Sequence, residues 1–418
     1  MLITRRVLPR AALLFGGSIA MGLIGSPAAA QQFKGEILIG MQCDRTGPTQ
    51  ITGTTFCPAE HDYVEVINSK GGVGGYKIVL NEIDNNYQVP PAIEAFERHR
   101  QMGVVSYLIW GTPQALALRP RLEQARIPGT SPGFGSAAAA DGKAYPYVFP
   151  AAATYWSQGG AAMEFAKRKL GGKLAGKKIA YLYYDNPAGM EPLPVIKDIH
   201  ALEGFELRTF AVPAPGIEMG AQILDISRRY KPDFVIAHLF GRAPAVMMKE
   251  MKRSGFPLNK VLGLVWAASE ADIAAGGGMD AVEGYYTMQF TGVGPDYPIL
   301  DEIRAMYKKN GKDASVMNNT TYYNRGVQNV SLHVEAIRLA IAANGGKQPT
   351  GVEVRQGFES IKNFTLGGIM GPMEITPEDH EGGGWVRIFQ IKGGKYVADG
   401  DWMRGYRELV LRHVKAGG

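Results

Sequence analysis

From Ile37 onward, apolar residues fall in short blocks separated by turn signals and by stretches with helical spacing. The run Ile37-Leu38-Ile39-Gly40-Met41 has strand length, and a helix is expected from Pro58 to Ser69, closed by Gly71-Gly72-Val73-Gly74-Gly75. Lys77 to Asp84 reads as the next strand, and Pro90 and Pro91 suit the first turn of a helix ending near Met102. Val104 to Trp110 is almost continuously apolar, as in a strand covered on both faces of a parallel sheet. Gly111-Thr112-Pro113 then opens another helix, which ends before Ile127 to Ser131.

The rhythm begins again near residue 152. Strands are expected at Lys178 to Tyr184, Phe205 to Val212, Phe234 to Leu239 and Val261 to Trp266, with helices at 156–170, 192–203, 218–230 and 243–254. Val327, Val330, Val334, Ile337 and Ile341 form one apolar stripe on a helix from Gly326 to Ala343. After Gly367 the texture changes to hairpins, with two strands flanking the turn Lys392-Gly393-Gly394-Lys395. Two successive α/β sets predict two doubly wound parallel-sheet lobes.

Length agrees with that division. Residues 1–30 read as an export leader: Arg5, Arg6 and Arg10 precede an apolar stretch, and Ala28-Ala29-Ala30 fits a cleavage site. The apolar stretch is short for a membrane anchor, which needs about 20 residues. Thr4-Arg5-Arg6-Val7-Leu8 loosely resembles a twin-arginine signal, so that route and the general secretory route both stay open. The remaining chain, about 388 residues, exceeds what one core usually holds. Removing the leader takes three arginines and no acids, lowering the formal net charge from +6 to +3. So mild and mixed a charge argues against a nucleic-acid partner.

Between the first strand and its helix lies Cys43-Asp-Arg-Thr-Gly-Pro-Thr-Gln-Ile-Thr-Gly-Thr-Thr-Phe-Cys57, holding the only two cysteines of the chain. In an exported protein that pair reads as a disulfide, with two separate buried thiols as the alternative. A loop leaving a strand's carboxyl end and entering a helix is where open α/β sheets bind ligands. Arg45, Thr46, Thr49 and Thr52 are therefore expected in one wall of a small-molecule pocket.

Catalytic patterns fail on inspection. Gly129-Thr130-Ser131-Pro132-Gly133 spells a nucleophile elbow, but the residue that should donate an oxyanion N–H is Pro132. The seven histidines show no metal-ligand spacing, and the glycine clusters at 71–75 and 276–278 match neither a phosphate loop nor a dinucleotide fingerprint. No catalytic residue, metal or cofactor is expected.

Thr46-Gly47-Pro48, the run Ile67-Asn-x-x-Gly-Gly-Val-x-Gly-x-Lys-Ile78, Asp84-Asn-Asn and the turn Ile127 to Gly133 together resemble the branched-chain amino-acid-binding proteins of bacterial ABC importers. The resemblance implies a type I periplasmic binding fold: two lobes joined by three crossovers, closing on a solute like a hinged clamp. By analogy lobe one takes 31–151 and 286–365, and lobe two takes 152–285 and 366–418. It also implies a periplasmic monomer delivering a small-molecule solute to an inner-membrane permease with its ATPase subunits. A sensory ligand-binding role uses the same fold.

Carried over by position, the family's carboxylate-gripping residues fall at Thr112 and at Gly133, Phe134 and Gly135, where a hydroxyl is missing. In lobe two the family's tyrosine falls near Ala188, beside Asn186, and an aromatic position falls near Arg242. The acid that neutralises an amino acid's ammonium is replaced by Trp266, with Glu270 near enough to substitute for it. An ammonium buried without an anion costs several kcal/mol. The expected guest is therefore a small organic carboxylate, aromatic acids among the candidates, with an amino acid as the alternative.

Overall fold

The computed structural model describes residues 32–213 and 215–417, so the leader expected over residues 1–30 lies outside the described residues. Lobe one begins with β1 (Glu36–Cys43), α1 (Gln50–Ser69), β2 (Lys77–Asp84), α2 (Val89–Gln101), β3 (Ser106–Leu108), α3 (Thr112–Ala125), β4 (Gly129–Thr130) and β5 (Val148–Phe149). These strands pair in parallel in the order β2-β1-β3-β4-β5. Ile37, Ile39 and Met41 on β1 are fully buried, which explains the unbroken apolar spelling of that strand.

Lobe two follows with α4 (Tyr155–Lys169), β6 (Lys178–Tyr184), α5 (Pro187–Met190), α6 (Leu193–Glu203), β7 (Glu206–Val212), α7 (Gly220–Leu224), β8 (Phe234–His238), α8 (Ala243–Ser254), β9 (Val261–Gly263), α9 (Glu270–Gly276) and β10 (Tyr286–Gln289). The chain then returns to lobe one for α10 (Pro298–Lys309), α11 (Thr320–Ala343) and α12 (Gly351–Phe358). It crosses a third time for the hairpin β11 (Arg387–Lys392) and β12 (Lys395–Ala398), and ends in α13 (Arg407–Ala416). The second sheet has seven strands in the order β12-β11-β10-β9-β8-β6-β7, antiparallel only at the hairpin. Gly393 and Gly394 both have positive φ, 57° and 72°, as a two-residue turn matched to strand twist requires.

Residue 286, from which the lobe-one return is expected, opens β10, whose Tyr286 and Thr287 pair with Leu262 and Gly263 of β9.

One difference concerns the cysteine-bracketed loop. Only residues 44–49 are loop, because α1 starts at Gln50 and carries Pro58 inside it. Threonines and glycines are poor helix formers, and proline favours a first turn, so local propensity places the start too late. Tertiary contacts override it. The Cys43–Cys57 disulfide joins the end of β1 to the helix. Gly53 lies so close to the Asp44 carbonyl that a Cβ there would sit 1.9 Å from its oxygen. This glycine serves helix-to-strand contact rather than a guest. No helix among the described residues is long and apolar enough to cross a membrane.

Replacing both cysteines by serine should lower stability by roughly 3 kcal/mol, from the loop of about 15 residues that the bridge closes. Urea unfolding followed by circular dichroism measures this, and an unchanged midpoint would show that the bridge contributes nothing.

Candidate functional site

Both sheets have a point where strand order reverses, between β1 and β3 in one and between β6 and β8 in the other. Loops leaving the carboxyl ends of strands at such points diverge and open a crevice. Here loops from both sheets line a cavity of about 40 Å³. Lobe one contributes Thr49 and Thr52 from the β1 connection, Tyr87 after β2, Trp110, Gly111 and Thr112 after β3, and Phe134 after β4. Lobe two contributes Tyr155 at the start of α4, Phe240 after β8, and Trp266 after β9. Six of these ten residues are aromatic and none is charged.

The inner polar groups are engaged with one another. The Thr49 hydroxyl lies 2.6 Å from Asp44 Oδ2 and accepts from the Trp110 indole Nε1 at 3.0 Å. Burial raises the pKa of both the Tyr87 and the Tyr155 phenol, which keeps them neutral. Below Tyr155 lies the ring of His238, 4.3 Å away between centroids, whose pKa burial lowers to about 3. That imidazole is neutral support.

Behind Trp266 sits a buried polar layer absent from the sequence reading. The Arg325 guanidinium, on α11, lies 4.9 Å from the Trp266 ring centre and 4.7 Å from that of Phe290, a cation–π stack. One of its nitrogens donates to Gln289 Oε1. Burial lowers the Arg325 pKa to about 10, which leaves it charged at neutral pH. Asp272 accepts from the Tyr322 hydroxyl at 2.9 Å and from Ser269, and burial raises its pKa to about 6. Glu270 accepts from the Thr320 hydroxyl and from Thr321 N at 3.1 Å, at the amino end of α11, where negative charge is favoured. Both acids near Trp266 are thus committed to the seam between lobes and line no part of the cavity.

The structure sorts the sequence-expected residues. Thr49, Thr52, Thr112, Phe134 and Trp266 come together around the cavity. Arg45 turns away, its Nε and Nη2 donating to Glu82 at 2.6 and 2.8 Å. Thr46 donates to Asp84 at 2.8 Å and lines an outer chamber. Gly133 and Gly135 flank Phe134 and face the Phe290 ring and Thr112 rather than the cavity. Asn186 is used as the cap of α5, accepting from Gly189 N at 2.9 Å, and Ala188 is buried beside it; neither lines the cavity.

Of the residues that follow β8, Phe240 lines the cavity and Arg242 does not. Strand β8 ends at His238, one residue earlier than its apolar spelling indicates, so the turn aims Phe240 inward. Arg242 is exposed at the start of α8 and lines the outer chamber. Between them Gly241, at φ 63°, passes so near lobe one that a Cβ would lie 2.6 Å from the Pro48 carbonyl oxygen. Tyr87, Trp110 and Tyr155 were also missed. The aromatic residue following each strand was the available signal.

Among the described residues, the one cluster with metal-ligand proximity is Cys43, Cys57 and Glu82, and its two sulfurs form the disulfide. The Ser131 hydroxyl of the elbow-like turn lies 3.4 Å from the Gly135 carbonyl oxygen and is buried.

Another contact crosses the lobes. Glu191, between α5 and α6, accepts from Ala137 N at 2.6 Å, while its Oε2 is buried without a partner. Burial raises its pKa from 4.5 to about 7, and the bond from Ala137 opposes this only partly. Between those values the folded chain keeps a proton the unfolded chain has lost, so this group adds stability as pH falls from about 7 to about 4.5. Thermal unfolding of wild type and Glu191→Gln across that range should show the wild type gaining on the variant toward acid. A constant gap would remove Glu191 as the titrating group.

Comparison with known proteins gives a consistent picture. Residues 36–395 match the periplasmic binding protein family. The chain is 24% identical over 308 residues to a Leu/Ile/Val-binding protein homolog 7 of Brucella abortus, covering 70% of this chain and 75% of that one. A solved structure from the Pseudomonas fluorescens group, named as an ABC transporter permease, is 31% identical with a TM-score of 0.83, covering 91% of this chain and 95% of that one. A branched-chain amino acid ABC transporter protein of Thermus thermophilus, with bound valine, is 22% identical with a TM-score of 0.78, covering 91% and 99%.

Proposed function

The chain belongs to the periplasmic binding protein family, and on that premise we propose that it captures a small organic carboxylate with an apolar, ring-bearing body and delivers it to an ABC permease. The family and its structural relatives are substrate-binding proteins of transporters rather than enzymes, and membership makes this an exported periplasmic protein. A leader cleaved near Ala30, a monomeric state and a partner complex with ATPase subunits are parts of the same proposal. So is the clamp itself, whose jaws are the two sheets with their helices, hinged at the three crossovers.

The observation that carries the ligand class is the aromatic wall without an acid. An amino acid brings an ammonium that needs an anionic partner once buried. Here Glu270 caps α11, Asp272 is held by Ser269 and Tyr322, and Trp266 fills the place between them and the cavity. Six rings offer stacking and edge contacts to an apolar body. Arg242 offers the charge a carboxylate needs, through a bidentate pair. A second reading, capture of a branched-chain amino acid, is favoured by the Brucella relative's name and by the valine in the Thermus structure.

Thermal-shift measurements with leucine, isoleucine and valine against aromatic and aliphatic acids separate the two. Because a ligand held only by the folded state raises the melting temperature, aromatic acids should do so and amino acids should not. A rise with leucine or valine alone would reverse the assignment. Trp266→Ala should weaken the preferred acid by more than about tenfold, the loss of roughly 1.4 kcal/mol of ring contact. Unchanged affinity in calorimetry would place Trp266 outside the binding surface.

A further inference from the structure

The inner cavity and the outer chamber share one wall, the ring of Phe240. The inner space is about 40 Å³, whereas an apolar cavity that takes up benzene measures on the order of 150 Å³. The outer chamber is about 670 Å³ and runs between the start of α1, at Gln50, Ile51 and Thr54, and the lobe-two loops carrying Pro215 and Ile217. A ring-bearing guest therefore cannot seat in the inner space while Phe240 stands where it does.

Phe240 has open space on its chamber side. It is only partly buried and stacks on Tyr184, with centroids 4.6 Å apart and planes 16° apart, while leaning on Tyr87 at 6.2 Å. The backbone after it is held, since Gly241 rests against Pro48 of lobe one. Rotation of the ring toward the chamber would join the two spaces and free a slot of one ring's size between Tyr87, Trp266 and Tyr155.

Charge decides which end of the guest lies where. The inner cavity has no charged lining residue, and its Thr49 hydroxyl is already engaged by Asp44 and Trp110. Among the described residues, Arg242 is the one charged side chain lining the chamber, and it is exposed there. A carboxylate placed at Arg242 keeps its hydration and gains a cation, whereas one placed inside would lie among six rings with no cation lining the space.

We propose that Phe240 is a gate that sets ligand length, and that the guest is an arylalkanoate: its ring lies in the inner slot, its chain passes Phe240, and its carboxylate meets Arg242. This rests on the carboxylate reading above and sharpens it, because a benzoate-like acid, with no chain, cannot reach from the slot to the chamber.

Calorimetry of the wild-type protein with benzoate, phenylacetate, 3-phenylpropanoate and 4-phenylbutanoate tests the idea without any variant. Affinity should rise by about tenfold or more from benzoate to the best of the longer acids. Arg242→Gln, a surface change, should weaken that acid about fivefold to tenfold and leave its primary amide unaffected. Phe240→Ala should move the best chain length upward or abolish the preference. Benzoate binding as tightly as the longer acids, or acid binding indifferent to Arg242→Gln, overturns the gate and its orientation while leaving the carboxylate reading intact. If the wild type binds valine or leucine and no acid of the series, both fall together.

Discussion

Burial of one carboxylate at the end of β1 shapes the rest of the site. Asp44 has no exposed surface, and its two oxygens receive the N–H groups of Gly47 and Thr49 and the Thr49 hydroxyl. A buried charge is tolerable only when hydrogen-bonded in this way. Those bonds force the chain to turn at once into α1, and the disulfide and Gly53 then press that helix onto the strand. Thr49 in turn receives the Trp110 indole, which ties the β1 connection to the β3 connection. The first jaw is thus one braced unit before any guest arrives.

The second jaw has a different logic, in which rings replace charges. Trp266 is one of six rings lining the cavity, and the cation behind it belongs to the protein itself. Arg325 pays for its burial by stacking on Trp266 and Phe290 rather than by an ion pair. The same layer joins the lobes: Tyr322 and Arg325 come from α11, Asp272 and Gln289 from lobe two. The lining of the cavity and the contact between the lobes therefore rest on adjoining residues.

Much of the architecture was legible because buried parallel strands are spelled almost without polar letters. Lys178 to Tyr184 falls on β6 in this way, the half-buried edge strand β2 shows through its Ile78-Val79-Leu80 block, and the glycine pair of the terminal hairpin announces its turn. The legible part of the site was the portion carried by loops of known exit, such as Thr49, Thr112 and Trp266. What stayed hidden depends on distances that sequence spacing does not record. The amino turn of α1 reads as loop until the disulfide and Asp44 are in place. The Phe240–Arg242 exchange came from one residue of strand length, since a turn begun one position earlier presents a different side chain to the cleft. Arg325 was invisible, because nothing in an apolar stripe from Val327 to Ile341 says that the preceding turn holds a buried cation.

Gly241 has a further consequence for how such a protein can diversify. Its missing side chain is the clearance between the jaws, because even one methyl there would meet the Pro48 carbonyl at 2.6 Å. Residues around the cavity can be exchanged ring for ring to suit new guests. Position 241 has no such freedom, because its backbone lies against the Pro48 carbonyl of the other lobe. Selection for a new cargo would thus redraw the walls and leave the doorstop where it is.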